Sequence, residues 1–155
     1  MGAVFARGVD FRVSGELMGY LKWSSRYSVH VQEIDEQHKN LIKLINEMYD
    51  AMQARKGTEL LEAVLTEFVQ YTVYHFNTEE RLLRKFGYPD YDVHKAMHDA
   101  LSAKARDAKY SFDRGIKPTN IEVMLLLTNW LNVHILEEDQ KYVPYVSARH
   151  KPEST

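Results

Sequence analysis

His94 and His98 lie four residues apart in the stretch His94-Lys95-Ala96-Met97-His98. On an ideal helix that spacing is a rotation of about 40°, so both imidazoles can aim at one point. Each of the three other helices that the pattern below predicts also carries a histidine on its apolar face. These are His38, His75 and His134, which makes five of the chain's seven histidines. Carboxylates keep them company. Glu79 follows His75 by four residues on the same face, and Asp139 follows His134 by five. Five residues of ideal helix rotate by about 140°, so His134 and Asp139 flank the centre of a stripe that contains Leu131, Ile135 and Tyr142. Glu138 lies nearer that centre and is a geometric rival to Asp139.

An isolated histidine on an apolar face is ordinarily a hydrogen-bonded core residue, and a lone pair at i, i+4 is a weak signal. Here, however, one small domain must bury five imidazoles and at least two carboxylates. An unpaired buried carboxylate costs several kcal/mol or takes up a proton. Seven such groups would exceed the ~5–15 kcal/mol of net stability that a domain possesses. Metal cations remove the difficulty by giving each buried group a partner. The set is too large for one tetrahedral zinc and too rich in nitrogen for calcium or magnesium. It suits two transition-metal ions sharing one site, and iron fits a mixed imidazole and carboxylate shell.

The chain has 155 residues, enough for one domain with a substantial core. Apolar residues make up 45% and charged residues 27%, an ordinary soluble composition. The net charge of −2 gives no reason to expect nucleic acid or an anionic membrane as partner. No apolar run approaches the ~20 residues needed to cross a bilayer, and the first 20 residues lack the apolar core of a signal peptide. There is no cysteine. Disulfides, thiolate metal sites, iron–sulfur clusters and cysteine nucleophiles are thereby excluded, and a reducing, cytoplasmic setting is expected.

The apolar period is helical from about residue 35 onward. One face carries His38, Leu41, Ile42, Ile45, Met48, Tyr49 and Met52, ending at the polar stretch 54–58. A second runs from Leu61 through Phe68, Thr72, His75, Phe76, Glu79 and Leu83 to Phe86, where Gly87-Tyr88-Pro89 is a stop signal. A third starts near Asp90 or Asp92, carries His94, Met97, His98, Leu101, Ala105 and Ala108, and ends before Gly115. Thr119 and Glu122 form a capping box for a fourth, which carries Met124, Leu125, Leu131, His134, Ile135 and Tyr142 and is expected to stop at Pro144. Four helices of roughly 20–28 residues with short connections predict an all-α, up-down-up-down four-helix bundle. Residues 1–20 read as a poorly ordered extension, 21–146 as the domain and 147–155 as a tail, with Met18 a candidate start.

The ordered set resembles the hemerythrin family of non-haem di-iron oxygen carriers, in its bacterial form. The matching residues are Trp23, Ile34-Asp35-Glu36-Gln37-His38-Lys39, His75-Phe76-Asn77-Thr78-Glu79 and Gly87-Tyr88-Pro89. The His94/His98 pair and Trp130 through Ile135, with Asp139 and Tyr142, complete the match, which covers roughly residues 20–146. The resemblance implies that His94, His98 and His134 bind one iron and His38 and His75 the other. Glu79 and Asp139 then bridge them, and the family's spacing ranks Asp139 over Glu138. It further implies an oxo or hydroxo bridge and reversible O2 binding as hydroperoxide on the iron with the open position. Leu131 and Ile135, with Phe76 and Trp130 as neighbours, would wall the oxygen pocket.

A ferritin-like oxidase or iron store would use Glu-x-x-His pairs, which do not occur here. A histidine phosphotransfer module would leave four buried histidines unexplained. An oxygen or redox sensor keeps the same site and needs an output partner, for which the chain has no second domain. No dedicated acid–base residue argues for an enzyme. The expected protein is a monomeric carrier or store whose protein recipient of O2, if any, the residues do not name.

Overall fold

The computed structural model describes residues 20–53, 58–116 and 120–149. Residues 1–19 of the expected N-terminal extension, with Met18, the capping-box residue Thr119 and residues 150–155 of the expected tail lie outside these. Four long helices follow in order: α1 (Gln32–Gln53), α2 (Thr58–Phe86), α3 (Tyr91–Asp113) and α4 (Asn120–Val133). A 3₁₀ turn, Ser25–Tyr27, precedes them. After α4 come a π-turn (His134–Glu138), a second 3₁₀ turn (Asp139–Lys141) and the short α5 (Val143–Ser147). Consecutive long helices pack on one another, and α4 closes the ring against both α1 and α3. Short loops between such helices leave only antiparallel neighbours, which is the expected bundle.

The stops follow from backbone chemistry. Gly87 adopts φ 64° and Gly115 φ 60°, the left-handed region a Cβ disfavours. At the first, the Gly87 N–H donates to the Arg84 carbonyl and the Tyr88 N–H to Leu83, both carbonyls otherwise orphaned at the helix end. Tyr88 and Leu83 also share an apolar cluster, the contact that accompanies this double bond. Gly115 and Ile116 repeat the pattern on Phe112 and Ser111. Asp90 occupies the N-cap position of α3 without a side-chain capping bond.

Two expectations for the last helix are corrected. Regular α-helix ends at Val133, well before Pro144, and Pro144 lies in the first turn of α5. Proline is tolerated there because its missing N–H would have no intrahelical partner. Leu125 is 52% exposed rather than core-facing, whereas Met124, Leu127, Trp130 and Leu131 are buried. The helix is apolar nearly all round, so periodicity does not identify its inner face.

The core is split in two. One cluster gathers Leu41, Ile45, Phe68, Phe76, Leu127, Leu131 and Ile135. The other gathers Val29, Ile34, Leu83, Tyr88, Tyr142 and Val146. Along α1 the chain passes from Ile34 to Leu41 with His38 between, and along α2 from Phe76 to Leu82 with Glu79 between. The last segment passes from Ile135 to Tyr142 through Asp139. A polar layer therefore crosses the bundle between two apolar halves.

Candidate metal centre

That layer is the site. His38, His75, Glu79, His94, His98, His134 and Asp139 are all at most 2% exposed. Their donor atoms form two groups: Glu79, His94, His98, His134 and Asp139 in one, and His38, His75, Glu79 and Asp139 in the other. Within each group the atoms lie within 4.8 Å of one another. Both carboxylates belong to both groups. In the first, Glu79 Oε2 lies 3.0 Å from His98 Nε2 and 3.4 Å from His94 Nε2. Asp139 Oδ1 lies 3.1 Å from His134 Nε2 and 3.4 Å from His94 Nε2. Its other oxygen, Oδ2, lies 3.4 Å from His38 Nε2 in the second group.

The π-turn brings Asp139 into this layer. Its N–H bonds to the His134 carbonyl five residues back, so the turn is wider than the ideal helix that separates the two residues by about 140°. Asp139 is fully buried beside His134, while Glu138 is only partly buried and pairs with Lys141. The geometric rivalry between the two carboxylates existed only for an unbroken α-helix.

A further set of residues orients the rings. His38 Nδ1 lies 2.9 Å from the Tyr27 carbonyl, and His75 Nδ1 lies 3.0 Å from Gln37 Oε1. Gln37 is itself held by a bond to Thr78. His98 Nδ1 lies 3.0 Å from Glu80 Oε1. Each partner accepts, so each Nδ1 carries the proton and each Nε2 presents a lone pair to the site. The Tyr27 carbonyl is placed by Asp35, which accepts from Ser28 Oγ and the Val29 N–H. Tyr142 donates its hydroxyl to Glu79 Oε1. Phe76 stacks on His98 with centroids 3.8 Å apart and meets His134 edge-on, and the Trp130 ring lies parallel to His134 at 6.1 Å. Leu131 and Ile135 are buried in the same cluster as these two aromatics. Gln37, Glu80 and the Tyr27 carbonyl were not singled out by spacing. Gln37 stands inside the matching run Ile34–Lys39 without a role being read for it, and Glu80 adjoins Glu79 in sequence, which is the signal that could have marked it.

The donor set fits cations. His38 Nε2, His75 Nε2 and both Asp139 oxygens are buried without a hydrogen-bond partner. His98 Nε2 and His134 Nε2 face each other at 3.1 Å, close enough for both nitrogens to reach one cation. Nitrogen and carboxylate oxygen in this ratio suit first-row transition metals.

Protons balance the layer when no cation does. Burial disfavours the charged form of His94, but its contacts with Asp139 and Glu79 outweigh that and raise it to about 10. His38 is raised despite burial by Asp139 and Glu79. Burial lowers His75 to about 3, so it is neutral and ready to ligate. Burial and Glu79 push Asp139 up, yet the His134, His38 and His94 rings hold it below the ordinary carboxylate range. Glu79 is held down by His134, His94 and His98 against its own burial. In the metal-free protein the stability contributed by His94 is complete below 6.5 and is lost as pH rises through about 10. A ligating histidine must be neutral. Metal loading at pH 7 is therefore expected to expel at least the His94 proton, with release vanishing above pH about 10. An indicator-dye titration measures this, and loading at pH 7 without proton release would refute the charge balance.

Fold and site together define a metal-binding helical bundle. The chain belongs to the hemerythrin family: the family model for the hemerythrin HHE cation-binding domain matches residues 29–146. A bacteriohemerythrin of Pseudomonas aeruginosa is 33% identical over 129 residues, covering 83% of each chain. One from Methylococcus capsulatus is 30% identical over 132 residues, covering 84% of this chain and all of that one. The crystal structure of a wild-type hemerythrin superposes with a TM-score of 0.76 at 30% identity, covering 82% of this chain and 98% of that chain.

Proposed function

We propose that this protein binds O2 reversibly at two iron ions and serves as a cytoplasmic, monomeric carrier or store rather than an enzyme. The observation that carries the reading is the unequal division of five imidazoles around two shared carboxylates. His94, His98 and His134 would hold one iron and His38 and His75 the other, with Glu79, Asp139 and a solvent-derived oxo or hydroxo bridge common to both. The group with two histidines has one protein donor fewer, which leaves room for an external ligand. When bound, the iron pair would supply the two electrons that O2 takes up on binding and returns on release.

The protein's own part is to hold, orient and keep dry. The acceptors on His38, His75 and His98 keep their Nε2 atoms unprotonated. Phe76 and Trp130 brace the rings of the three-histidine group. Leu131 and Ile135, at 1% and 0% exposure in the same apolar cluster, would be the walls that exclude water from the oxygen pocket. A dry pocket would keep solvent and its protons from the open position, which favours reversibility. Leu131→Asn, similar in size but polar, is expected to speed autoxidation on the order of tenfold, a barrier change of ~1.4 kcal/mol. Unchanged decay of the oxygenated form would remove Leu131 from the pocket wall.

The reading is tested by anaerobic loading with Fe(II), an iron count, and visible absorption as O2 is admitted and withdrawn. Two irons and a band that comes and goes with O2 are expected. Irons that oxidise with no reversible band would replace the carrier role with redox sensing.

A further inference from the structure

The acceptors behind the histidines are not alike. His38 Nδ1 is held by a backbone carbonyl and His75 Nδ1 by a side-chain amide, both neutral. His98 Nδ1 is held by the carboxylate of Glu80. Glu80 is 7% exposed, and its second oxygen faces outward, 3.8 Å from Lys95 Nζ and 3.9 Å from an Arg84 guanidinium nitrogen. Those two cations keep a negative charge at this depth from being isolated. His134 Nδ1 is buried with no hydrogen-bond partner. One imidazole of the three-histidine group is therefore backed by a full negative charge, and neither imidazole of the two-histidine group is.

A charged acceptor forms a shorter, stronger hydrogen bond than a neutral one and draws the ring proton toward itself. Electron density then rises at the opposite nitrogen, which becomes a better donor to a cation. Phe76, stacked on the same ring, limits its rotation, so the bond to Glu80 sets the ring's tilt as well as its basicity.

We propose that Glu80 is the positioning residue of His98, and that through this bond it adds to the lead of the three-histidine group, which already has one donor more, as the tighter of the two cation sites. This rests on the two-metal reading above, and it deepens that reading by ranking the two sites. Cations fill the three-histidine group first, and the two-histidine group, backed only by neutral acceptors, fills second and exchanges faster.

Stepwise titration of the full chain with Co(II), followed by visible absorption and by the NMR signal of the His98 ring proton, tests this. The native chain is expected to take two equivalents in two resolved steps, the first shifting that proton. Glu80→Gln keeps an acceptor of the same shape without the charge. It is expected to weaken the first step alone by ~10-fold, with Glu80→Ala toward ~100-fold, the range for losing an outer partner of a metal-binding histidine. Gln37→Leu, which removes the acceptor of His75, is expected to weaken only the second step. Unchanged affinity in both Glu80 variants would overturn the proposal, as would equal weakening of both steps. Glu80→Gln is close to isosteric, so failure of Glu80→Ala to fold leaves the test standing. A native chain that takes fewer than two equivalents overturns the two-metal reading and this inference with it. Two equivalents with no response to Glu80 overturns only the inference.

Discussion

Replacing Asp139 by Asn is expected to empty both metal groups at once. Among the described residues Asp139 and Glu79 alone are common to the two groups, and an amide at 139 would leave both cations facing a single carboxylate. Losing a mere outer partner of a metal ligand typically costs ~10–100-fold in affinity, and a bridging anion acts directly on both ions. Iron content is expected to fall from two per chain to near zero. His38→Ala, by contrast, should spare the three-histidine group and retain up to one iron, whereas His94→Ala strikes that group.

The same substitution destabilises the metal-free protein. Asp139 is completely buried and faces His38, His94 and His134. Its removal leaves the protonated His94 with Glu79 alone, and breaking a buried pair in this way costs ~3–5 kcal/mol. Iron analysis and urea unfolding of Asp139→Asn and Glu138→Gln provide the measurement. Glu138 pairs with Lys141 at the surface, so its variant should match the parent in both. Two irons retained by Asp139→Asn would remove Asp139 as the bridge.

Chelation of the metal is expected to lower the melting temperature by tens of degrees. The polar layer lies between two apolar clusters, and its donors come from α1, α2, α3 and the segment after α4. A cation held by such donors stabilises only the folded chain. With free metal at ~1,000 times its dissociation constant, each ion contributes ~4 kcal/mol, or ~8 kcal/mol for two. At ~2–4 °C per kcal/mol for a chain of this size, the fall on chelation is about 15–30 °C. Calorimetry with and without a strong chelator checks it, and His38→Ala should show about half the difference. Equal melting temperatures would mean that the layer is stabilised by its own protons and not by metal.

Much of this arrangement is legible in the order of residues. The faces of α1, α2 and α3 repeat with a helical period, and Gly87 and Gly115 stop helices because only they adopt a left-handed φ cheaply. His75 with Glu79 and His94 with His98 lie on those faces at spacings of four, where an ordinary α-helix suffices to aim them, and His38 lies alone on the apolar face of α1. Such features depend on a few consecutive residues and their own backbone, so sequence by itself determines them.

Other features were decided by tertiary structure. A π-turn puts Asp139 beside His134, and no local residue type announces it, because the wider turn is held by what it delivers to the core. Pro144 opens a short helix there instead of ending a long one. Which side of α4 is inner depends on α1 and α3, since its own surface is apolar nearly all round. The acceptors that orient the rings, Tyr27, Gln37 and Glu80, come from 11, 38 and 18 residues away. A hydrogen bond across that distance in the chain exists only once the helices have packed. Residue type and spacing therefore determined which side chains could bind metal, while packing decided how each ring is held and which is backed by charge.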